Sequence, residues 1–402
     1  MKKYLQSDDE IRDLKNMEEL HEYLDFRKEN DEWVEVFLNE LAAVGVPDMP
    51  LFYGQYCSKV TVPKNGYHVH IGNIDHEKQE NAECISGTGL FLVFPYKDKL
   101  TAYPTRWTAY NSICKRAGDD GDVMMRTEAR ANKCVLPVNE KAERLCRDFQ
   151  LYSDNCKILL RDGKVSAVLS KDYAILPADG LIQVLENQLA SDHPDFAFDK
   201  GKVSHEYLLA EYLLNDPEME ESFRLRLNDA GADIASIKAG VQFSTSDVGL
   251  SRVNASLFYD ADGVRTFLGG GIGIIHLGDA SVADFAESCK SLGLVFKECE
   301  DRIEELGNMD IADVAGTVRK VQEKYPFLPK TVADAVAADL EVSCPNGGTG
   351  VDVYIALNDI VQRHADQSSL SPTRYLNLCE QVAKLMKLPF DRIDQGEEWI
   401  RI

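Results

Sequence analysis

A chain of 402 residues, 44% hydrophobic and with its 27 glycines and 14 prolines scattered, can bury a sizeable core, which excludes a disordered or low-complexity protein. Its formal charge of −23 excludes a surface that seeks phosphate everywhere, so any contact with nucleic acid has to be local. The N-terminus MKKYLQSDDEIRDLKNMEEL places acids where a signal peptide needs an apolar stretch, no run of apolar residues is long enough to span a bilayer, and the ten cysteines contain no CxxC pair, so the expectation is a reduced, cytoplasmic protein without a membrane partner.

The acids are unevenly spread. Residues 1–50 carry 14 acids against 6 bases, residues 51–175 carry 15 against 18, and residues 176–402 carry 38 against 20. The middle of the chain is therefore mildly positive between two negative ends.

In chain order, residues 17–45 hold Leu20, Leu24, Trp33, Phe37, Leu38 and Leu41 at helical spacing, which predicts one or two amphipathic helices in an acidic arm over 1–50. From Phe52 the period shortens to that of strands. YGQYCSKVTV, GYHVHIGNI and GLFLVFPY are bounded by Pro63, Asn65-Gly66 and Pro95. A helix follows over TRWTAYNSICKRAG and stops at Gly118, and another starts near Pro137. Asp162-Gly163 between two apolar runs predicts a tight hairpin, since both residues accept positive φ.

PADGLIQVLENQLA reads as a helix, and SIKAGVQFSTSDVG, SRVNASLFYD and VRTFLGG read as strands. From Ser281 onward apolar residues step by three and four, through Phe285, Cys289, Leu292, Phe296, Cys299, Ile303 and Leu306. The expected fold class is α+β: a mixed or antiparallel sheet core over 51–280, an N-terminal helical arm and a C-terminal helical bundle over 281–402. The step at Ser281 also admits a homo-oligomer paired through that helix.

Candidate chemistry falls into four groups. His68 and His70 alternate on one strand face with His76 shortly after, a weak metal set that fits no standard zinc spacing. Gly269, Gly270, Gly271 and Gly273, and the run Pro345-Asn346-Gly347-Gly348-Thr349-Gly350, offer backbone N–H groups to a phosphate but match no phosphate-binding fingerprint, and no cofactor is expected. The stretch 96–147 interleaves Tyr96, Tyr103, Trp107 and Tyr110 with Lys97, Lys99, Arg106, Lys115, Arg116, Arg126 and Arg130. Rings that stack on bases beside cations that follow phosphates form the pattern of a single-strand binder. No GxSxG or SxxK nucleophile motif is present.

WTAYNSICKRAG, ILLRDGKVSAVLSKDYAIL, VQFSTSDVGLSRVNASLFY followed by IIHLGD, and VDVYIALNDIVQRHADQ with SPTRYLNLCEQ together resemble the phage/plasmid-like family of mobile elements, over roughly residues 105–390. Thr245-Ser246-Asp247-Val248-Gly249 stands where that family has Asn-Ser-Glu-Val-Gly. The family's following cysteine-asparagine-glycine is replaced by the glycine run ending at Gly273. The resemblance implies carriage among replication, recombination and anti-defence genes and supplies no mechanism. It singles out Arg161, Ser170, Tyr173, Ser246, Asp247, Gly249, His276 and Arg374 as the polar or special-geometry positions of a shared site.

The expected function is thus a non-enzymatic role in DNA transactions, through single-stranded nucleic acid or a DNA-handling protein partner. One alternative is an acidic mimic of nucleic acid that inhibits a host defence protein. The other is a metal-dependent enzyme acting on nucleotides or nucleic acid through Ser246, Asp247 and His276.

Overall fold

The structure is a computed structural model describing residues 10–45, 59–64, 67–72, 88, 90–97, 99–119, 138–232, 234–368, 370 and 372–401. It is an α+β protein whose sheets pair antiparallel throughout the described strands. The first half contains β1 (Arg12–Leu14), α1 (Met17–Asn30), β2 (Glu32–Phe37), β3 (Ala42–Gly45), β4 (Lys59–Lys64), β5 (Tyr67–Gly72), β6 (Leu90–Tyr96), β7 (Lys99–Pro104), α2 (Trp107–Arg116), α3 (Val138–Phe149), β8 (Asn155–Arg161), β9 (Lys164–Ser170) and α4 (Ala178–Asp192). Then come β10 (Ala197–Val203), β11 (Leu208–Leu213), α5 (Pro217–Asp229), β12 (Ile237–Thr245), β13 (Val253–Ala261) and β14 (Val264–Ile274). The C-terminal part is α6 (Val282–Cys289), α7 (Leu292–Gly307), β15 (Asp310–Ile311), α8 (Val314–Lys324), α9 (Lys330–Ser343), β16 (Gly348–Thr349), α10 (Gly350–Gln367), α11 (Pro372–Lys384) and α12 (Phe390–Asp394).

The largest sheet runs β1-β10-β11-β12-β13-β14. Its alternation puts Ala210, Tyr212, Val241, Phe243, Leu257 and Tyr259 on a dry face against Leu185 of α4, Phe223 of α5, Phe285 of α6 and Phe296 of α7. β14 is an edge strand whose free backbone groups are answered from the helices. Gln362 accepts from Arg265 N at 3.0 Å, Asn358 accepts from Phe267 N at 3.0 Å, and the Tyr354 hydroxyl donates to Phe267 O at 2.5 Å. Covering an edge in this way blocks its pairing with another chain.

A second apolar cluster joins the sheets β2-β8-β9 and β3-β6-β7 to α2 and α3, through Phe91, Phe94, Tyr110, Ile113, Phe149 and Ile158. A parallel bridge from Thr105 to Val165 ties these sheets together. Leu159, Ala167 and Val248 then pack this unit onto the loop after β12.

Several expectations change. Helix is realised only to Asn30, because beyond Asp31 the pattern alternates: Val34 and Val36 are buried while Glu35 and Phe37 are exposed, which is strand period. Residues 14–24 pack with residues 176–393, and residues 34–168 form their own apolar cluster. Ser281 does cap a helix, with Asp284 completing a capping box. The apolar seam from Phe285 through Phe296 to Leu306 is buried within this chain's own core and leaves that face closed to a second subunit. Among the described residues no helix is long and apolar enough to cross a membrane.

Candidate nucleic-acid interface

The Asp162-Gly163 hairpin forms as its sequence requires, with φ of 56° and 73°. Its tip is the centre of a buried charge network. Arg27 reaches Asp162 at 2.8 Å and Arg106 reaches the same carboxylate at 3.1 Å. Arg161 bonds Asp31 at 2.5 and 2.8 Å, Asp247 at 2.8 Å and the His205 carbonyl at 3.0 Å. Burial opposes these charges, and Asp31 and Asp247 more than offset it at Arg161, whose pKa rises well above its ordinary value. The network bolts α1, the β8–β9 hairpin and the start of α2 to the loops after β10 and β12.

That anchoring shapes a cleft of about 530 Å³. One wall is α2, whose last turn carries Lys115 and Arg116. The floor is Val168, Leu169 and Tyr173, and the opposite wall is the loop Val248–Arg252 with Ile275, His276 and Leu277 beyond β14. Gly249 has φ of 77°, a backbone conformation that favours glycine, and a Cβ there would sit 3.0 Å from Leu169 Cδ2. Tyr173 lies between Trp33, with ring centroids 5.8 Å apart, and His276, at 5.0 Å and nearly parallel. Its hydroxyl donates to Ser246 O at 3.2 Å, while Ser246 Oγ donates to Glu206 O at 2.7 Å.

Lys115, Arg116 and Arg252 line this cleft without a single carboxylate among its described lining residues, and none of the three forms an ion pair with a described acid. A groove next to it shares Lys115, Arg116 and Ser170 and adds Lys171 and Tyr152. Tyr152 closes against Gly118, where φ is 79° and any Cβ would collide with the phenol oxygen at 2.1 Å. Leu250, Ile275 and Leu277 stay exposed at the cleft mouth, giving it an apolar side opposite Lys115 and Arg116.

The expected site residues separate cleanly. Ser170, Tyr173, Gly249, His276, Lys115 and Arg116 meet at the cleft, while Arg161, Ser246 and Asp247 hold its loop from beneath. Arg374 stands apart on α11. Arg106 leaves the interface: it is fully buried, with Asp162 as counter-charge. Lys97 pairs with Glu32 at 3.3 Å and lies over the Tyr96 ring, while Tyr103 and Tyr110 are interior. Trp107 is 41% exposed, with its ring edge-on to Tyr110. Lys99, His68 and His70 are placed only as strand positions, and Arg126, Arg130 and His76 lie outside the described residues. Arg252 and Tyr152 were missed, because each lies outside the stretch 96–147 whose interleaving drew attention.

No nucleophile and base pair forms from Ser246, Asp247 and His276. His276 Nδ1 faces only the Ala174 carbonyl at 3.1 Å, so that nitrogen carries the proton and Nε2 accepts from Thr245 Oγ1 at 3.4 Å. Burial lowers its pKa and keeps the ring neutral. Ser246 is committed to Glu206 O and Asp247 to Arg161.

The glycine run serves packing: a Cβ at Gly269 would meet Ala383 O at 2.7 Å, and one at Gly270 would meet Val295 at 2.7 Å. At the opening of α10 an anion is already supplied, since Asp352 Oδ2 accepts from Thr349 N at 2.7 Å. Among the described residues no group of His, Cys, Asp and Glu converges to hold a metal. No family model matches this chain, and neither the curated proteins nor the solved structures yield a match.

Proposed function

We propose that this protein binds single-stranded nucleic acid in the cleft between α2, β9 and the loop Val248–Arg252, as a non-enzymatic component of the DNA transactions of a mobile element. The observation that carries the reading is the one above: Lys115, Arg116 and Arg252 converge on a cleft with no described acid, in a chain of net charge −23. In so acidic a molecule, three cations without counter-charges among the described residues point to an anion that arrives from outside. The apolar side of the cleft suits unstacked bases, and the adjoining groove adds the part-exposed ring of Tyr152. The mobile-element setting rests on the resemblance of residues 105–390. A cytoplasmic, reducing location is supported by the free thiols of the described cysteines.

The test is fluorescence anisotropy with a labelled oligothymidylate across a salt series. Binding should weaken steeply with salt, and duplex DNA of equal length should compete poorly. K115E/R116E/R252E should abolish binding at moderate salt with its circular dichroism unchanged, and single reversals should each flatten the log–log salt slope by about 0.7. Full binding by the folded triple variant would sink the assignment.

A further inference from the structure

A separate cavity of about 340 Å³ lies on the other face of the large sheet, under the end of α10 and the start of α11. That face is polar. Lys200, Glu211 and Gln242 stand side by side on β10, β11 and β12, and Glu211 is 2% exposed. Gln242 donates to Glu211 at 3.0 Å, Lys200 lies 3.2 Å from it, and Arg265 Nη1 bonds its other oxygen. Arg265 is fixed on every side: its backbone N–H is held by Gln362 at 3.0 Å and its guanidinium lies 4.0 Å over the Phe258 ring.

The second guanidinium nitrogen faces two carboxylates and hydrogen-bonds neither. Arg265 Nη2 has Asp260 at 3.6 Å and Asp199 at 3.9 Å, both beyond hydrogen-bond reach. On the rim, Lys202 from β10 and Asp366 from α10 form no ion pair with any described residue. Leu209, Leu370 and Tyr375 supply the apolar remainder of the wall. A buried ion pair costs desolvation that an apolar pair would avoid, and its use here is to hold a donor rigidly at the cavity wall. The lining carries Lys200, Lys202 and Arg265 against Glu211, Asp260 and Asp366, a balanced set that offers a polyanion no net attraction and suits a ligand bearing one charge of each sign.

We propose that this cavity binds a free α-amino acid with an apolar side chain: its carboxylate on Arg265 Nη2 and Lys202, its ammonium on Asp366 and Asp260, and its side chain against Leu209, Leu370 and Tyr375. The site is independent of the nucleic-acid cleft, and neither assignment needs the other.

Isothermal titration calorimetry of the full chain tests it with three matched probes: L-phenylalanine, phenethylamine, which lacks the carboxylate, and 3-phenylpropanoate, which lacks the ammonium. L-leucine, isopentylamine and 4-methylpentanoate form a second set. At least one amino acid should bind saturably, with both of its truncated analogues weaker by at least about tenfold, the loss of one charged contact. K202Q and D366N alter exposed side chains, so both should fold. D366N, which leaves Asp260 in place, should narrow the gap between phenylalanine and 3-phenylpropanoate, and K202Q should weaken the amino acid several-fold. No heat from either amino acid at millimolar concentration, equal binding of a truncated analogue to the wild-type protein, or unchanged selectivity in D366N would each overturn the proposal.

Discussion

His205 shows how strongly one buried residue can tie this fold to pH. Its side chain sits within the charge network, where burial and the nearby Arg106, Arg161, Lys164 and Arg27 push its pKa down to about 2. Unfolded, the ring takes up its proton near its ordinary pKa of about 6.5; folded, it stays neutral far below that. Below about pH 6.5 the unfolded chain therefore binds more protons, and stability falls as pH falls, by up to about 1.4 kcal/mol per unit for this group. His276 shifts in the same direction, through its own burial. Thermal melts at about pH 7.5, 6.5 and 5.5 should show the midpoint dropping, and H205N should drop less over the same interval. Parallel curves for the two proteins would remove His205 from the account. The network also explains why a residue list read along the chain misassigns Arg106. Its counter-ion Asp162 lies 56 positions away, and only the fold brings the two together. Lys115 and Arg116, at the exposed end of the same helix, line the cleft.

At the level of elements, the cleft wall Val248–Arg252 is a loop held by contacts that bind no ligand. Asp247 takes the Arg161 bond at 2.8 Å, Tyr173 holds the Ser246 carbonyl at 3.2 Å, and Leu250 N reaches Ser246 Oγ at 3.4 Å. D247N removes the charge and keeps the shape. A charge-assisted hydrogen bond contributes about 1.5–3 kcal/mol, and since Asp247 is partly exposed the loss of stability should fall at the lower end. With its anchor weakened the loop should present Arg252 less well, so oligonucleotide affinity should fall several-fold while the salt slope stays at the wild-type value, because Asp247 meets no phosphate. A slope flattened as in R252E would mean that Asp247 acts through the field and not through position. Most of these elements were legible beforehand: the Asp162-Gly163 hairpin from its turn residues, α2 from its Gly118 stop, and the strands after Ser236 from their β-branched content. β2 was not, because a charged, aromatic segment satisfies helical and strand periods about equally until a partner strand decides. The polar positions singled out in the sequence, Arg374 apart, gathered near one place, but nothing in their spacing says that Arg161, Ser246 and Asp247 support the cleft from beneath while Ser170 and His276 line it.

For the whole molecule, the cleft is a small electropositive opening in an acidic body, and under the proposed function that contrast would set how much nucleic acid it holds. Residues 1–50 carry 14 acids against 6 bases and residues 176–402 carry 38 against 20, so a strand that runs past the cleft meets mainly carboxylates. Even the adjoining groove places Asp154 and Asp172 beside Lys171. Within the cleft each phosphate releases counter-ions and gains affinity; beyond it each further phosphate gains nothing and is repelled at low salt. Affinity should therefore rise with oligothymidylate length up to roughly four nucleotides, the short end of the range for a single groove. Longer strands should bind no better per site, and at low ionic strength slightly worse, apart from the statistical gain of offering more registers. Anisotropy titrations with a length series at two salt concentrations measure this directly. A steady gain in affinity out to roughly 16 nucleotides, with a salt slope that steepens in step, would require a long basic track, and the acid-rich ends of this chain would then have to face away from the strand.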